Sequence, residues 1–173
     1  MIKNTTLYFD MDGVLDNFRK AASELGIKFN GYQFVNETEA WKKIHSKGYK
    51  FWSELDWIEG SCELFHCACQ IFQKVEVLSA RSLDESSLVG KLIWCRQLEK
   101  IAKCYGTKFK ANIVFNEEKE KFAISQDGTK NILIDDFEEN INKWRGYGIL
   151  FKNAKQAKIE LLKISKELIC QKT

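Results

Sequence analysis

Five short runs of near-continuous apolar residues punctuate the chain, at residues 6–9, 75–78, 112–115, 131–134 and 148–151, and each ends in polar or small residues. A strand wet on one face alternates with period two, whereas runs like these suit strands covered on both faces, as in a parallel sheet. Between the runs the apolar spacing becomes helical. Over 88–105 the residues Leu88, Leu92, Cys95, Leu98, Ile101 and Ala102 fall on one face, and 137–144 and 154–169 read the same way. Strands alternating with helices predict right-handed crossovers and an α/β fold, a Rossmann-like doubly wound parallel sheet.

Residues 17–70 break the alternation. They carry helical patterning, no convincing strand, and many aromatics, among them Phe18, Phe34, Trp41, Phe51, Trp52 and Trp57. The expectation is a small helical cap (17–70) inserted after the first strand into a core of residues 1–16 and 71–173. Most of these aromatics are expected in the core and a few at a ligand.

Composition narrows the class. The 173 residues, 45% hydrophobic and 29% charged, suit one globular domain. No apolar run approaches the roughly 18 residues of a bilayer crossing, and the N-terminal residues carry no secretory pattern. A cytoplasmic protein is therefore expected, with no membrane partner. Net charge of +3 argues against a stable nucleic-acid partner. The lysines of the last helical stretch, Lys155, Lys158, Lys163, Lys166 and Lys172, read as a solvated face. Six cysteines (62, 67, 69, 95, 104 and 170) lack paired zinc-knuckle spacing, so reduced and mostly buried thiols are expected.

Ligands of doubly wound sheets sit beyond the carboxyl ends of the strands, so the residues that end each strand matter most. The first apolar run ends on Asp10-Met11-Asp12-Gly13-Val14-Leu15-Asp16, the second on Ser79-Ala80-Arg81, and the fourth on Asp135-Asp136. A segment holding Lys119 and Lys121 lies between the third and fourth. Each piece has a plain alternative. Ser79 and Asp16 can be turn or cap residues, and Asp136 can cap the next helix, with Glu139 completing a capping box. Asp135 is harder to dismiss, because an acidic pair after an apolar strand is costly unless something balances it.

Taken in order, these pieces resemble the four signatures of the haloacid dehalogenase superfamily. Asp10-Met11-Asp12-Gly13 is similar to the first signature, Ser79 to the second, Lys121 (or Lys119) to the third, and Asp135-Asp136 to the fourth. The resemblance implies a phosphohydrolase with Asp10 as covalent nucleophile and Asp12 as acid and base. It implies Mg²⁺ held by Asp10, Asp135, Asp136 and the Asp12 backbone carbonyl, and phosphate contacts from Ser79, Ala80, the signature lysine, Arg81 and Lys91. Lys121 is the preferred lysine because it directly precedes Phe122-Ala123. Dehalogenases of the superfamily need neither Mg²⁺ nor Asp12, and a scaffold that lost catalysis would have lost carboxylates that are present here.

Within the superfamily the chain is most similar to the 5′(3′)-deoxyribonucleotidases. The similarity rests on Phe51-Trp52-x-x-Leu55-x-Trp57-x-x-Gly60, on Lys91-x-x-Trp94, on Leu133-Ile134-Asp135-Asp136-Phe137-x-x-Asn140, and on Gly146-x-Gly148. Ser79-Ala80-Arg81 departs from the Thr-Ser pair of the animal members. That branch implies a nucleoside monophosphate substrate, with Phe18, Phe51 and Trp52 at the base, and is compatible with a homodimer. The alternatives are another small phosphate ester or a nucleic-acid 3′ end and, in a different class, a non-catalytic binding protein.

Overall fold

The computed structural model describes residues 1–170, so Lys172 lies outside the described residues. Strand β1 (Ile2–Phe9) leads to helix α1 (Phe18–Glu24) and a short hairpin, β2 (Phe29–Asn30) and β3 (Gln33–Phe34). Helices α2 (Glu37–Ser46), α3 (Tyr49–Ser53) and α4 (Ser61–Ile71) follow. The rest alternates through β4 (Phe72–Ala80), α5 (Glu85–Cys104), β5 (Lys108–Val114), a 3₁₀ segment (Asn116–Phe122), β6 (Ile132–Asp135), α6 (Glu138–Lys143), β7 (Tyr147–Leu150) and α7 (Ala154–Cys170). Five strands form one parallel sheet in the order β5-β4-β1-β6-β7, flanked by helices. This is the α/β architecture that the apolar runs predict. Among the described residues no helix is long and apolar enough to cross a membrane.

β1 is central because both of its sides are paired: Leu7 and Phe9 stand opposite Val75 and Val77 on one side and Ile132 and Ile134 on the other. Its side chains serve both faces. Phe9 meets Phe65 of α4 at 5.6 Å between ring centres, and Phe65 meets Phe109 of β5 at 6.1 Å. From the opposite face Tyr8 packs edge-on against Phe122 and Trp144, at 5.6 and 6.0 Å. Burying such rings is the main stabilising term of the core.

Several elements differ from their expected form. β5 begins at Lys108, ahead of the apolar run, because it is an edge strand whose Lys108 and Lys110 stay exposed. Residues 17–70 contain the β2–β3 hairpin, held by the facing pair Phe29 and Phe34 with ring centres 5.2 Å apart. Leu92, expected inside, is 43% exposed, and the buried stripe of α5 runs through Ser87, Lys91, Trp94, Cys95, Leu98 and Ala102. A lysine thus holds a core position. Cys69 and Cys95 are the buried cysteines, their thiols pushed up to about 12 by burial, while Cys104 and Cys170 are exposed. The expectation of mostly buried thiols is corrected accordingly.

Gly90 brings α3 onto α5. A Cβ there would collide with the Tyr49 carbonyl and the Trp52 side chain. Gly90→Ala should therefore destabilise the protein by about 1–3 kcal/mol through overpacking, seen as a lower urea midpoint at unchanged m-value.

Candidate active site

From β1 the chain moves through β4 to β5 on one side of the sheet and later through β6 to β7 on the other. The crevice beyond the carboxyl ends of β1 and β6 is therefore the topological switch point, where open α/β sheets take ligands. Asp10 is the first residue past β1, its N–H bonded to the Ile134 carbonyl of β6 at 2.8 Å. Asp135 ends β6. Parallel register thus sets the two aspartates side by side, and Asp136 joins them. Asp10, Asp135 and Asp136 each offer a carboxylate oxygen, and the three oxygens lie within 4.8 Å of one another.

Lys119 reaches into this cluster from the 3₁₀ segment. Its Nζ donates to Asp10 Oδ1 at 2.8 Å and to Asp135 Oδ2 at 2.9 Å, and all three residues are buried. Burial alone would lower the Lys119 pKa, but Asp10 and Asp135 outweigh it and hold the ammonium above its usual value. Asp135 is fixed further by the Phe137 N–H and the Asn140 side-chain amide, each at 2.9 Å. Burial, and after it the charge of Asp10, raises the Asp135 carboxyl. Asp136 is pushed to about 7 by burial and then by Asp10, Asp135 and Asp12. The folded state accordingly binds protons that the unfolded chain releases near pH 4. Without a cation, stability falls from about pH 4 and the loss from Asp136 is complete above about pH 7.

The loop after Asp10 is wound tightly. The Met11 carbonyl accepts the N–H groups of Val14, Leu15 and Asp16 at 2.9–3.3 Å. Gly13 takes φ +83°, and a Cβ there would run into the Asp136 carboxylate, so glycine is required for both conformation and approach. Asp12 is not one of the three clustered carboxylates. Its Oδ2 accepts from Lys91 Nζ at 2.6 Å, and the same ammonium donates to Ser79 Oγ at 2.9 Å and the Ala80 carbonyl at 2.6 Å. Asp12 Oδ1 is buried without a partner among the described residues. Burial raises the Asp12 carboxyl, Lys91 opposes that, and Asp10 reinforces it. Beneath it Asp16 is fully buried, its Oδ1 accepting the Phe18 N–H at 3.2 Å, and burial followed by Asp12 raises it well above the carboxylate range.

A cavity of about 630 Å³ opens beside Asp12 and Lys91. Phe18, Phe34, Trp41 and Trp52 wall it, and Arg81, Ser82, Gly13 and Asp136 line its sheet end. Phe18 and Trp52 stack on each other at 5.4 Å and 21°. The hairpin reaches over the sheet: Tyr32 Oη donates to the Asp136 carbonyl at 3.0 Å, and its ring meets Phe137 at 5.6 Å. No family model matches the chain, and no curated protein is significantly similar to it.

The expected site residues sort by place. Asp10, Asp135 and Asp136 converge, and Asp12, Ser79, Ala80 and Lys91 form the adjoining group. Arg81 lies beside them, its guanidinium 3.6 Å from Glu85 and 5.4 Å from the Phe115 ring centre. Lys121, the preferred lysine, points outward and pairs with Glu118 at 3.1 Å, while Lys119 occupies the site. The reason is geometric: at three residues per 3₁₀ turn, two residues apart is two-thirds of a turn, so only one lysine can face in. Asp136 does not cap α6: the N-cap position is Phe137, and the carboxylate that bonds the Phe137 N–H is that of Asp135. Phe51 is not among the cavity residues and packs edge-on against Phe18 and Trp52. Arg19, Asn30, Tyr32 and Gln33, to which the sequence assigns no role, also line the cavity: the last three because the hairpin forms, and Arg19 from α1, over the hairpin's Phe29 and Tyr32.

Lys119→Met should cost about 3–5 kcal/mol, because it strands buried carboxylates without their cation. In chelator the loss should be larger at pH 8 than at pH 5, where the carboxyls take up protons instead. Lys121→Met should stay within about 0.5 kcal/mol. Urea titrations of both variants at the two pH values provide the comparison.

Proposed function

We propose that the protein is a phosphomonoester hydrolase of the haloacid dehalogenase type, most similar in its chemistry to the 5′(3′)-deoxyribonucleotidases. The observation that carries this reading is the meeting of Asp10, Asp135, Asp136 and Lys119 at the switch point, next to Asp12 at the mouth of an aromatic cavity. On this reading the residues between β1 and α4, with their hairpin, serve as the cap.

One ammonium stands against three clustered carboxylates, which leaves room in the charge balance for a cation. The donors are all oxygens, a set that suits a hard ion such as Mg²⁺ over metals preferring thiolate or imidazole. Asp10, Asp135 and Asp136, with the Asp12 carbonyl, would hold it. Bound there, it would neutralise the charge of the phosphoryl oxygens.

The chain's own residues then divide the work. Asp10 is the nucleophile: its carboxylate oxygen attacks phosphorus and the ester P–O bond breaks, giving an aspartyl-phosphate. Asp12 gives its proton to the departing alkoxide. Its raised pKa and its place in the cavity lining suit that role. Water next attacks phosphorus, Asp12 takes its proton, and Asp10 is released with inorganic phosphate. Lys119 keeps Asp10 and Asp135 in position and offsets their repulsion. Lys91 orients Asp12 and ties it to Ser79 and Ala80 at the end of β4, the phosphate side of the site. Phe18 lines the cavity where the leaving nucleoside's base would sit, with the buried Trp52 stacked on it.

With Mg²⁺ and a panel of ribo- and deoxyribonucleoside monophosphates, the enzyme should release phosphate. Asp10→Asn should lower kcat by at least about 10⁴-fold while leaving the thermal midpoint at or above the wild-type value. Turnover of aryl phosphate but of no nucleotide would keep the phosphatase and remove the nucleotidase. Unchanged turnover in Asp10→Asn would remove the nucleophile assignment.

A further inference from the structure

The cavity's outer rim carries a cation that the catalytic scheme leaves unused. Arg19, in the first turn of α1, is exposed, and its guanidinium lies 4.5 Å from the ring centre of Phe29 and 5.8 Å from that of Tyr32. Among the described residues no carboxylate pairs with it, unlike Lys20 next to it, which holds Asp56 at 2.6 Å. A guanidinium lying over aromatic faces is positioned by them while its in-plane N–H groups stay available to an acceptor. Arg19 lines the same cavity as Asp12 and Lys91, as do the exposed amides of Asn30 and Gln33 on the hairpin. On the nucleotidase reading, Lys91 and Arg81 lie toward the phosphate end of that cavity. Arg19 is brought to the rim by α1 and the hairpin, elements separate from β4 and α5.

We propose that Arg19 is a specificity-determining residue that reads the acceptor edge of the substrate's base and makes 6-oxopurine nucleotides, guanine and hypoxanthine, the preferred substrates. This rests on the nucleotidase reading of the site. The chemistry follows from donor counting. Guanine and hypoxanthine present O6 and N7 as two neighbouring acceptors, which match the parallel N–H groups of one guanidinium. Adenine places an amino donor beside N7, and cytosine presents an amino donor. Uracil and thymine have a single carbonyl on the corresponding edge. Asn30 and Gln33 each offer both a donor and an acceptor, so they can adapt to any base and do not by themselves select one. At about 630 Å³ the cavity is within the usual range for a ligand of nucleoside size.

The test is kcat/KM with Mg²⁺ for GMP, IMP, AMP, UMP and CMP, for wild type, Arg19→Lys and Arg19→Met. GMP and IMP should be close to each other and roughly ten- to a hundredfold above AMP, as expected of one bidentate contact. Arg19→Met should bring the IMP-to-AMP ratio to within about threefold, chiefly through KM. Arg19→Lys, which keeps the charge but loses the fork, should fall between. In parallel, quenching of tryptophan fluorescence by inosine and adenosine reports base preference without catalysis, since Trp41 and Trp52 wall the cavity. AMP matching IMP in the wild type, or a preference that survives in Arg19→Met, overturns the proposal. Higher kcat/KM for guanosine and adenosine 3′,5′-bisphosphates alike, over both monophosphates, also overturns it, because Arg19 would then be reading a second phosphate. Absence of turnover with every nucleotide is a separate result. It removes the nucleotidase reading, and equal quenching by the two nucleosides would then remove the Arg19 assignment as well.

Discussion

The structure depends on balancing negative charge where β1 and β6 end. Parallel pairing places Asp10 and Asp135 at the same height on neighbouring strands, and the chain adds Asp136 immediately after. Desolvated carboxylates this close repel each other and lose hydration, so the fold needs a cation among them. Lys119 is that cation, and its place explains why the connection between β5 and β6 takes a detour through a 3₁₀ segment. Asn131 pins the detour: its side-chain amide donates to the Phe122 carbonyl at 2.8 Å, and its side-chain oxygen accepts the Thr6 N–H of β1 at 3.0 Å. The lysine is thereby tied to the strand whose terminal charge it neutralises.

A second buried lysine divides the site in two. Lys91 ties Asp12 to the end of β4, so aspartates two residues apart face different surroundings. Asp10 lies with a cation on one side and carboxylates on the other. Asp12 keeps one oxygen on Lys91, has the other buried without a partner among the described residues, and lines the aromatic cavity. On the proposed phosphatase reading, this separation by environment would let one loop provide both a nucleophile and a proton donor. The Met11–Asp16 winding and the glycine at position 13 make this possible, because a side chain there would displace Asp136.

The fold was legible where periodicity was clean. Buried parallel strands are nearly all apolar, and each of the five runs lies in or overlaps a sheet strand. The β2–β3 hairpin was not legible, since two-residue strands are too short to alternate and their aromatics fit a helical spacing equally well. In the site, the aspartates at strand ends stood out because acidic residues after apolar runs need a partner. Choosing between Lys119 and Lys121 required the 3₁₀ geometry, which sequence spacing does not reveal. The resemblance implies a phosphate contact for Lys91, and nothing in the sequence marks it as buried, because a lysine on a helix is usually exposed. Its burial depends on Asp12, 79 positions away. Asp16 looked like a turn residue and does bond the Phe18 N–H, but its complete burial under Asp12 follows only from how the loop winds.

If Asp10 is the nucleophile, it forms a covalent bond to phosphorus during turnover. Rapid acid quench of the protein mixed with Mg²⁺ and a nucleoside monophosphate, followed by peptide mass spectrometry, tests it directly. The peptide containing Asp10 should gain one phosphoryl group transiently, located at that residue and absent in Asp10→Asn. A phosphoryl group on any other residue, or single-turnover hydrolysis at full rate with no phosphorylated peptide at any quench time, would contradict it.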